Sequence, residues 1–113
     1  IEAAVAAGNP RAIMTLNVYN YRIKKYIGAY AAAMGGCDIL VWTGGVGENQ
    51  WATRRVVCEN MEYMGMKIDV EKNEGMRGEE MVISTPDSKV TIIVVPTDEE
   101  YMIAADTMDI LGK

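Results

Sequence analysis

Asp38-Ile39-Leu40-Val41-Trp42-Thr43-Gly44-Gly45-Val46-Gly47-Glu48-Asn49 is the stretch on which the fold turns. Ile39 to Trp42 is a run of β-prone apolar residues, apolar on both faces as for a central strand covered on both sides. It stops at three glycines within four positions, and Asn49 stands where a helix cap is expected before the next helical pattern. Strand, glycine turn and helix in that order predict an α/β domain. The turn itself has two readings. Glycine lets backbone approach a ligand closely, and N–H groups at a helix start favour phosphate or polar atoms. Yet the Lys and Ser/Thr of a P-loop are missing, and Gly47 has no glycine three residues on, so neither common nucleotide fingerprint is met. A tight connection and a ligand cradle both fit the spacing.

Working back toward the start, Asn9-Pro10 marks a helix N-terminus, with Asn9 as cap and Pro10 where its missing N–H does no harm. Leu16, Tyr19, Ile23, Ile27, Tyr30, Ala31 and Met34 recur at three- and four-residue steps, with Asn20, Arg22, Lys24 and Lys25 off the stripe, until Gly35-Gly36 stops the helix. Packing within the domain and a subunit contact are both open for that face. Ala3 and Ala4 belong to an alanine-rich opening that ends at Gly8, readable as the tail of a helix.

Working forward, Asn49 opens a helix with Val56, Val57, Cys58, Met61 and Met64 inside, closed by Gly65, and Trp51 in its first turn serves packing or base stacking. Met66 to Ile68 is expected to be a short strand, and the acidic segment Asp69 to Glu80 a solvated loop without EF-hand spacing. Met81 to Ser84 and Lys89 to Val95 form a hairpin across Thr85-Pro86-Asp87-Ser88. The second strand ends at Pro96, and Thr97 with Glu100 forms a capping box for a final helix through Met102, Ile103, Ala105, Thr107, Ile110 and Leu111. Asp98 and Glu99 suit its positive end. If this strand and the glycine-terminated strand end on one edge, a nucleotide could rest on the turn while an acid holds its magnesium.

Composition removes several functions. The 113 residues suit at most one domain, and half are hydrophobic, ordinary for a soluble chain with no run of membrane-spanning length. A net charge of −5, with Lys24-Lys25 and Arg54-Arg55 as isolated pairs on helices, argues against nucleic acid. The absence of His excludes Ser-His and Cys-His nucleophile systems and leaves Cys37 and Cys58 as buried reduced thiols. Ile1-Glu2-Ala3-Ala4 has no signal-peptide pattern, so the expected compartment is the cytoplasm.

Several segments in order resemble one family: Tyr21-Arg22-Ile23-Lys24-Lys25-Tyr26-Ile27-Gly28-Ala29-Tyr30, Thr43-Gly44-Gly45-Val46-Gly47-Glu48-Asn49, Met64-Gly65-Met66-Lys67-Ile68-Asp69, Arg77-Gly78-Glu79, Ile83-Ser84-Thr85 and Val95-Pro96-Thr97-Asp98-Glu99-Glu100. Together they are similar to the C-terminal part of the acetate kinases. The resemblance implies a partial actin-like ATPase (ribonuclease H-like) domain, a mixed sheet flanked by helices. Residues 1–113 would be the C-terminal nucleotide-binding portion of a longer two-domain kinase. It implies ATP or ADP with Mg2+ as cofactors, acetate as phosphoryl acceptor, and a homodimer. Gly45, Val46, Gly47, Glu48 and Asn49 map onto the family's contacts to the adenosine part of ATP, and Glu99 onto a magnesium ligand. Many members carry Ala where Gly44 stands. The family's carboxylate-binding and phosphoryl-stabilising arginines, aspartate, asparagine and histidine belong to segments outside this chain. No catalytic residue is therefore assigned within it, and the chain alone is expected to be inactive. A propionate or butyrate kinase, and a non-catalytic nucleotide-binding or dimerisation module, are the alternatives.

Overall fold

In the computed structural model, residues 2–97 and 99–112 are described, the side chain of Glu99 apart. Helix α1 (Glu2–Ala6) leads through Gly8, at φ 80°, into the long helix α2 (Pro10–Met34). The start of α2 follows its sequence signals. The Asn9 carboxamide oxygen accepts from the Arg11 and Ala12 amides at 3.0 and 3.2 Å, satisfying two of the donors a helix start leaves open. At the other end Gly35, at φ 79°, takes the left-handed conformation that closes the helix, its N–H turned to Ala31 and Ala32 carbonyls.

Three strands form one sheet in the order β1 (Ile39–Trp42), β3 (Thr91–Val94), β2 (Met81–Val82). β1 and β3 are parallel, pairing Ile39 with Thr91 and Trp42 with Val94, while β2 runs antiparallel to β3 across the Thr85–Ser88 turn. That turn is held by the Thr85 hydroxyl on Asp87 at 2.7 Å and by a Lys67–Asp87 ion pair at 2.7 Å. Both groups are exposed, and they hold the Asp87 carboxyl down at about 2, the lysine being the larger influence.

The central strand is β3, not β1. Ile92 and Val94 of β3 are fully buried, whereas Ile39 and Val41 of β1 are about half exposed on an edge strand. The apolar run of β1 therefore has cover on one face only among the described residues, which corrects the two-sided burial its sequence suggests.

The core lies beneath the sheet and is rich in sulfur. Trp42, Val57, Cys58, Ile83, Val90, Ile92 and Val94 close around Met61, Met66 and Met76, and Ile23 and Ile27 of α2 pack onto it. The inward line of α2 thus runs through Ile23, Ile27 and the buried Ala31, while Tyr19, Tyr30 and Met34 of the expected stripe face outward. Asn20, expected on the polar side, is buried.

Other boundaries shift for local reasons. Asn49 does not cap the following helix. It ends a six-residue helix α3 (Gly44–Asn49), and α4 (Trp51–Cys58) begins after Gln50. α4 stops early, with Glu59 already extended at ψ 137° and Asn60 at φ 59°, and the chain resumes as a 3-10 turn (Glu62–Met64) that ends at Gly65 as expected. Met66 to Ile68 is not a strand but contributes a single bridge, Ile68 to Ser84. The acidic segment is not wholly solvated. Asp69 caps the short helix α5 (Val70–Asn73) through the Lys72 amide at 3.2 Å, and Asn73 and Met76 are buried. The last helix, α6, runs Glu99–Ile110 with Tyr101, Met102, Ile103, Met108 and Ile110 exposed. Of the acids expected at the start of this helix, Asp98 and the side chain of Glu99 lie outside the described residues.

Candidate functional site

Parallel pairing puts the carboxyl ends of β1 and β3 side by side. The ladder continues one step further, with the Val95 amide on the Trp42 carbonyl at 2.9 Å and the Thr43 hydroxyl on the Val95 carbonyl at 2.8 Å. Thr43 occupies the cap position of α3 but spends its hydroxyl on this cross-strand bond, tying the glycine turn to the approach of α6. The edge-sharing that the sequence left as a condition is present, and ligands of open α/β sheets bind outside such strand ends.

Each glycine of the turn has its own requirement. Gly44, at φ 74°, occupies the left-handed region, where a side chain costs about 1–2 kcal/mol. Gly47 is buried, and a Cβ there would meet the Trp42 carbonyl carbon at 2.9 Å, so the turn sits directly on β1. Gly45 is exposed, and nothing lies within 4 Å of the place a Cβ would take. Its backbone is open to close approach. Asn49 turns its amide back to the Gly45 carbonyl at 3.1 Å, bracing the helix from its far end.

A cavity of about 740 Å³ opens beside this corner. One wall is Val5, Leu16 and Tyr19 from α1 and α2, and the other is Val46, Asn49 and Trp51, with Thr53 and Arg77 completing it. This volume lies in the range of small-molecule and cofactor sites, and a mostly apolar lining with a few polar groups is their usual character. Val46 and Asn49 thus face the cavity, Gly45 is open on the surface beside them, and Gly47 and Glu48 stand behind the wall. Trp51, which the sequence left between packing and stacking, presents itself to the cavity.

The residue the sequence reading missed is Arg54. An Arg-Arg pair on a helix reads as a solvated face, yet Arg54 is fully buried while Arg55 is exposed. Its Nη1 donates to the carbonyls of Gly47 at 2.8 Å and Glu48 at 3.1 Å, its Nη2 to the Met76 carbonyl at 2.7 Å, and its Nε to the Asn73 side-chain oxygen at 2.7 Å. Asn73 in turn donates to the Trp51 carbonyl at 2.8 Å, and the Gly78 amide donates to the Glu48 carbonyl at 3.1 Å. Burial draws the Arg54 guanidinium below its ordinary pKa and pushes the neighbouring Cys58 thiol up to about 11. No local pattern in the sequence marks it, because three of its four acceptors are backbone carbonyls.

For the metal, the fit is limited. Among the described residues no three His, Cys, Asp or Glu side chains come together as a metal group. Glu99 opens α6 four residues after Val95, whose carbonyl accepts from the Thr43 hydroxyl, but its side chain and all of Asp98 lie outside the described residues. No helix among the described residues is long and apolar enough to cross a membrane.

A model of the acetokinase family matches residues 1–105. Over all 113 residues the chain is 96% identical to an acetate kinase of Parabacteroides distasonis, of which it covers 28%. It superposes on the crystal structure of Porphyromonas gingivalis acetate kinase with a TM-score of 0.90 at 68% identity, covering 97% of this chain and 28% of that one. A propionate kinase from Francisella tularensis is similar with a TM-score of 0.74 at 31% identity, over 90% of this chain and 26% of that one. The chain therefore spans little more than a quarter of the length of the relatives it matches. Its small mixed sheet and flanking helices are part of the actin-like ATPase fold of these kinases. On the matched sequence and the shared fold together, the chain belongs to the acetokinase family.

Proposed function

We propose that residues 1–113 are the C-terminal nucleotide-binding portion of a longer cytoplasmic kinase that reversibly transfers the γ-phosphoryl of ATP to acetate, giving acetyl phosphate and ADP. The observation that supports this reading is the parallel pairing of β1 with β3, which brings the glycine turn, with the cavity beside it, and the stretch leading into α6 to neighbouring strand ends. In this reading Gly45 admits the nucleotide to the backbone, Val46 and Asn49 shape the adenosine wall, and Gly47 and Glu48 hold the turn from behind. Glu99 serves the magnesium ion, which when bound neutralises phosphate charge during transfer. Phosphoryl transfer rests on positioning and charge stabilisation, and the groups that grip the acyl carboxylate lie elsewhere in the longer protein. This chain alone is inactive on that account.

The full-length enzyme, assayed with ATP, magnesium and acetate, tests the reading, together with a Gly45→Val variant. A Cβ at this position meets nothing within 4 Å, so the variant is expected to fold and to weaken ADP binding by occupying the approach to the backbone. Unchanged ADP affinity in that variant would refute the site. Acetyl phosphate formed by residues 1–113 alone would refute the predicted inactivity. A propionate kinase is the second reading, supported by the similarity to the Francisella tularensis structure. Turnover of acetate against propionate by the full-length enzyme separates the two. A homodimer belongs to the same proposal. Since Ile23, Ile27 and Ala31 of α2 turn inward, a subunit contact on that helix would use its exposed apolar residues, Met14, Val18 and Tyr21 among them. An unchanged mass in solution for Val18→Glu would remove that face from the contact.

A further inference from the structure

The guanidinium of Arg54 is an unusual thing to bury. Its four hydrogen bonds end on three backbone carbonyls and one neutral amide, and no carboxylate is among those acceptors. A buried charge of this kind is expensive in free energy, and well-packed apolar residues of similar size often stabilise a fold equally well. Stability therefore gives a poor account of it, whereas geometry gives a good one. The planar fork fixes several acceptors at once in set directions, which the single ammonium of a lysine does not do.

Those acceptors belong to three separate segments. Gly47 and Glu48 end the glycine turn, Asn73 closes α5, and Met76 lies in the loop beyond it. The turn has two other constraints. Gly47 rests on the Trp42 backbone with no room for a methyl group, and the Gly78 amide takes the Glu48 carbonyl. β1 thus sets the height of the turn, while Arg54 and the 73–78 segment set its tilt. Arg54 is not among the residues lining the cavity, but the neighbours on either side of the clamp, Asn49, Trp51, Thr53 and Arg77, all are.

We propose that Arg54, braced by Asn73, is a positioning residue that sets nucleotide affinity through the orientation of the Gly45–Asn49 turn, without touching the nucleotide. This rests on the nucleotide reading of the turn given above. Pre-organised backbone saves the ordering free energy that a loose turn would spend on binding. Loss of the clamp therefore raises the dissociation constant for ADP by about tenfold, the equivalent of about 1.4 kcal/mol. Acetate binding, built on other segments, does not follow.

The test uses the full-length kinase with Arg54→Lys, Arg54→Ala and Gly45→Val, measuring the ADP dissociation constant, KM for ATP and for acetate, and the thermal midpoint. The expected result is weakened ADP binding and a raised KM for ATP in Arg54→Lys, an unchanged KM for acetate, and partial recovery of Arg54→Ala by added guanidinium ion. A lowered midpoint with unaltered nucleotide constants in Arg54→Lys, while Gly45→Val weakens ADP, overturns the positioning role and leaves the nucleotide site standing. Unaltered ADP binding in Gly45→Val overturns the site reading and the inference with it. Should neither Arg54 variant fold, Asn73→Ala, which keeps the guanidinium and its three carbonyl partners, is read by the same criteria.

Discussion

Two glycines two residues apart should answer the same substitution with opposite signs. At Gly47 an added Cβ lies 2.9 Å from the Trp42 carbonyl carbon, 3.4 Å from its Cα and 3.5 Å from its Cβ. Carbon atoms prefer a separation of about 3.5–4.0 Å, so the closest of these contacts must open by more than about half an ångström. Both sides are backbone, one in the ladder of β1 and the other bound through its carbonyl to Arg54 at 2.8 Å, so neither yields without loosening a hydrogen bond. Overpacking of this kind costs about 1–3 kcal/mol, against which alanine regains about 1 kcal/mol over glycine in a helix. Gly47→Ala is therefore expected to destabilise by about 1 kcal/mol, the middle of a net range of about 0–2 kcal/mol. Gly45→Ala meets nothing within 4 Å and has no positive φ, so only the helix gain remains, about 0.4–1 kcal/mol of stabilisation. Urea unfolding of the full-length protein checks this through the emission of Trp42 and Trp51, which flank the turn. The two midpoints should move to opposite sides of the parent at unchanged slope. A Gly47→Ala protein as stable as the parent, or both variants moving together, would refute the argument that the turn is seated directly on the strand.

Other expectations follow from single contacts. Burial raises the Cys58 thiol from 9.0 to about 11, with Trp42, Lys24 and Arg54 opposing. Because the folded value lies above the unfolded one, this stabilisation is complete below about pH 9 and is lost as pH rises through about 11, a loss of about 3 kcal/mol. Alkaline denaturation should show it in the parent but not in Cys58→Ala, and parallel curves would contradict it. Asn9→Ala removes the acceptor of two amides at the start of α2 and should lower stability by about 1 kcal/mol, read from the urea midpoint. Glu99→Ala should leave metal-free ADP affinity near the parent value and raise the magnesium concentration needed for activity. A change in thermal midpoint alone would instead assign Glu99 to the helix dipole.

Where the chain announces structure through local chemistry, the sequence was sufficient. Asn9-Pro10 and Gly35 bound α2 because a cap and a left-handed glycine act within one turn, and Thr85-Pro86-Asp87-Ser88 makes its hairpin for the same reason. Pairing of β1 with β3 joins residues about fifty positions apart, and no local pattern encodes parallel register, so it stood only as a condition. The exposure of Ile39 and Val41 was hidden because an apolar run records burial in the whole protein, whereas this chain spans little more than a quarter of its relatives. Arg54 was hidden for a different reason. A residue type normally found at the surface gives no sign of burial when its partners are backbone carbonyls, which leave no mark on the sequence. The glycines were legible as a turn, but the separate tasks of Gly44, Gly45 and Gly47 needed coordinates.

The sulfur-rich core has a chemical corollary. Met61, Met66 and Met76 are sealed among aliphatic neighbours, whereas Met14, Met34, Met102 and Met108 are exposed in the chain. An oxidant such as peroxide should convert the exposed group to sulfoxides first and reach the sealed three only when the domain opens. Once it does, a sulfoxide carried into the largely apolar interior must be stripped of its water, so the opened form cannot close again as tightly. These seven methionines thus form a sacrificial outer set and an inner set whose modification records each excursion from the native state, with the half-buried Met64 and Met81 between them, legible residue by residue as added mass.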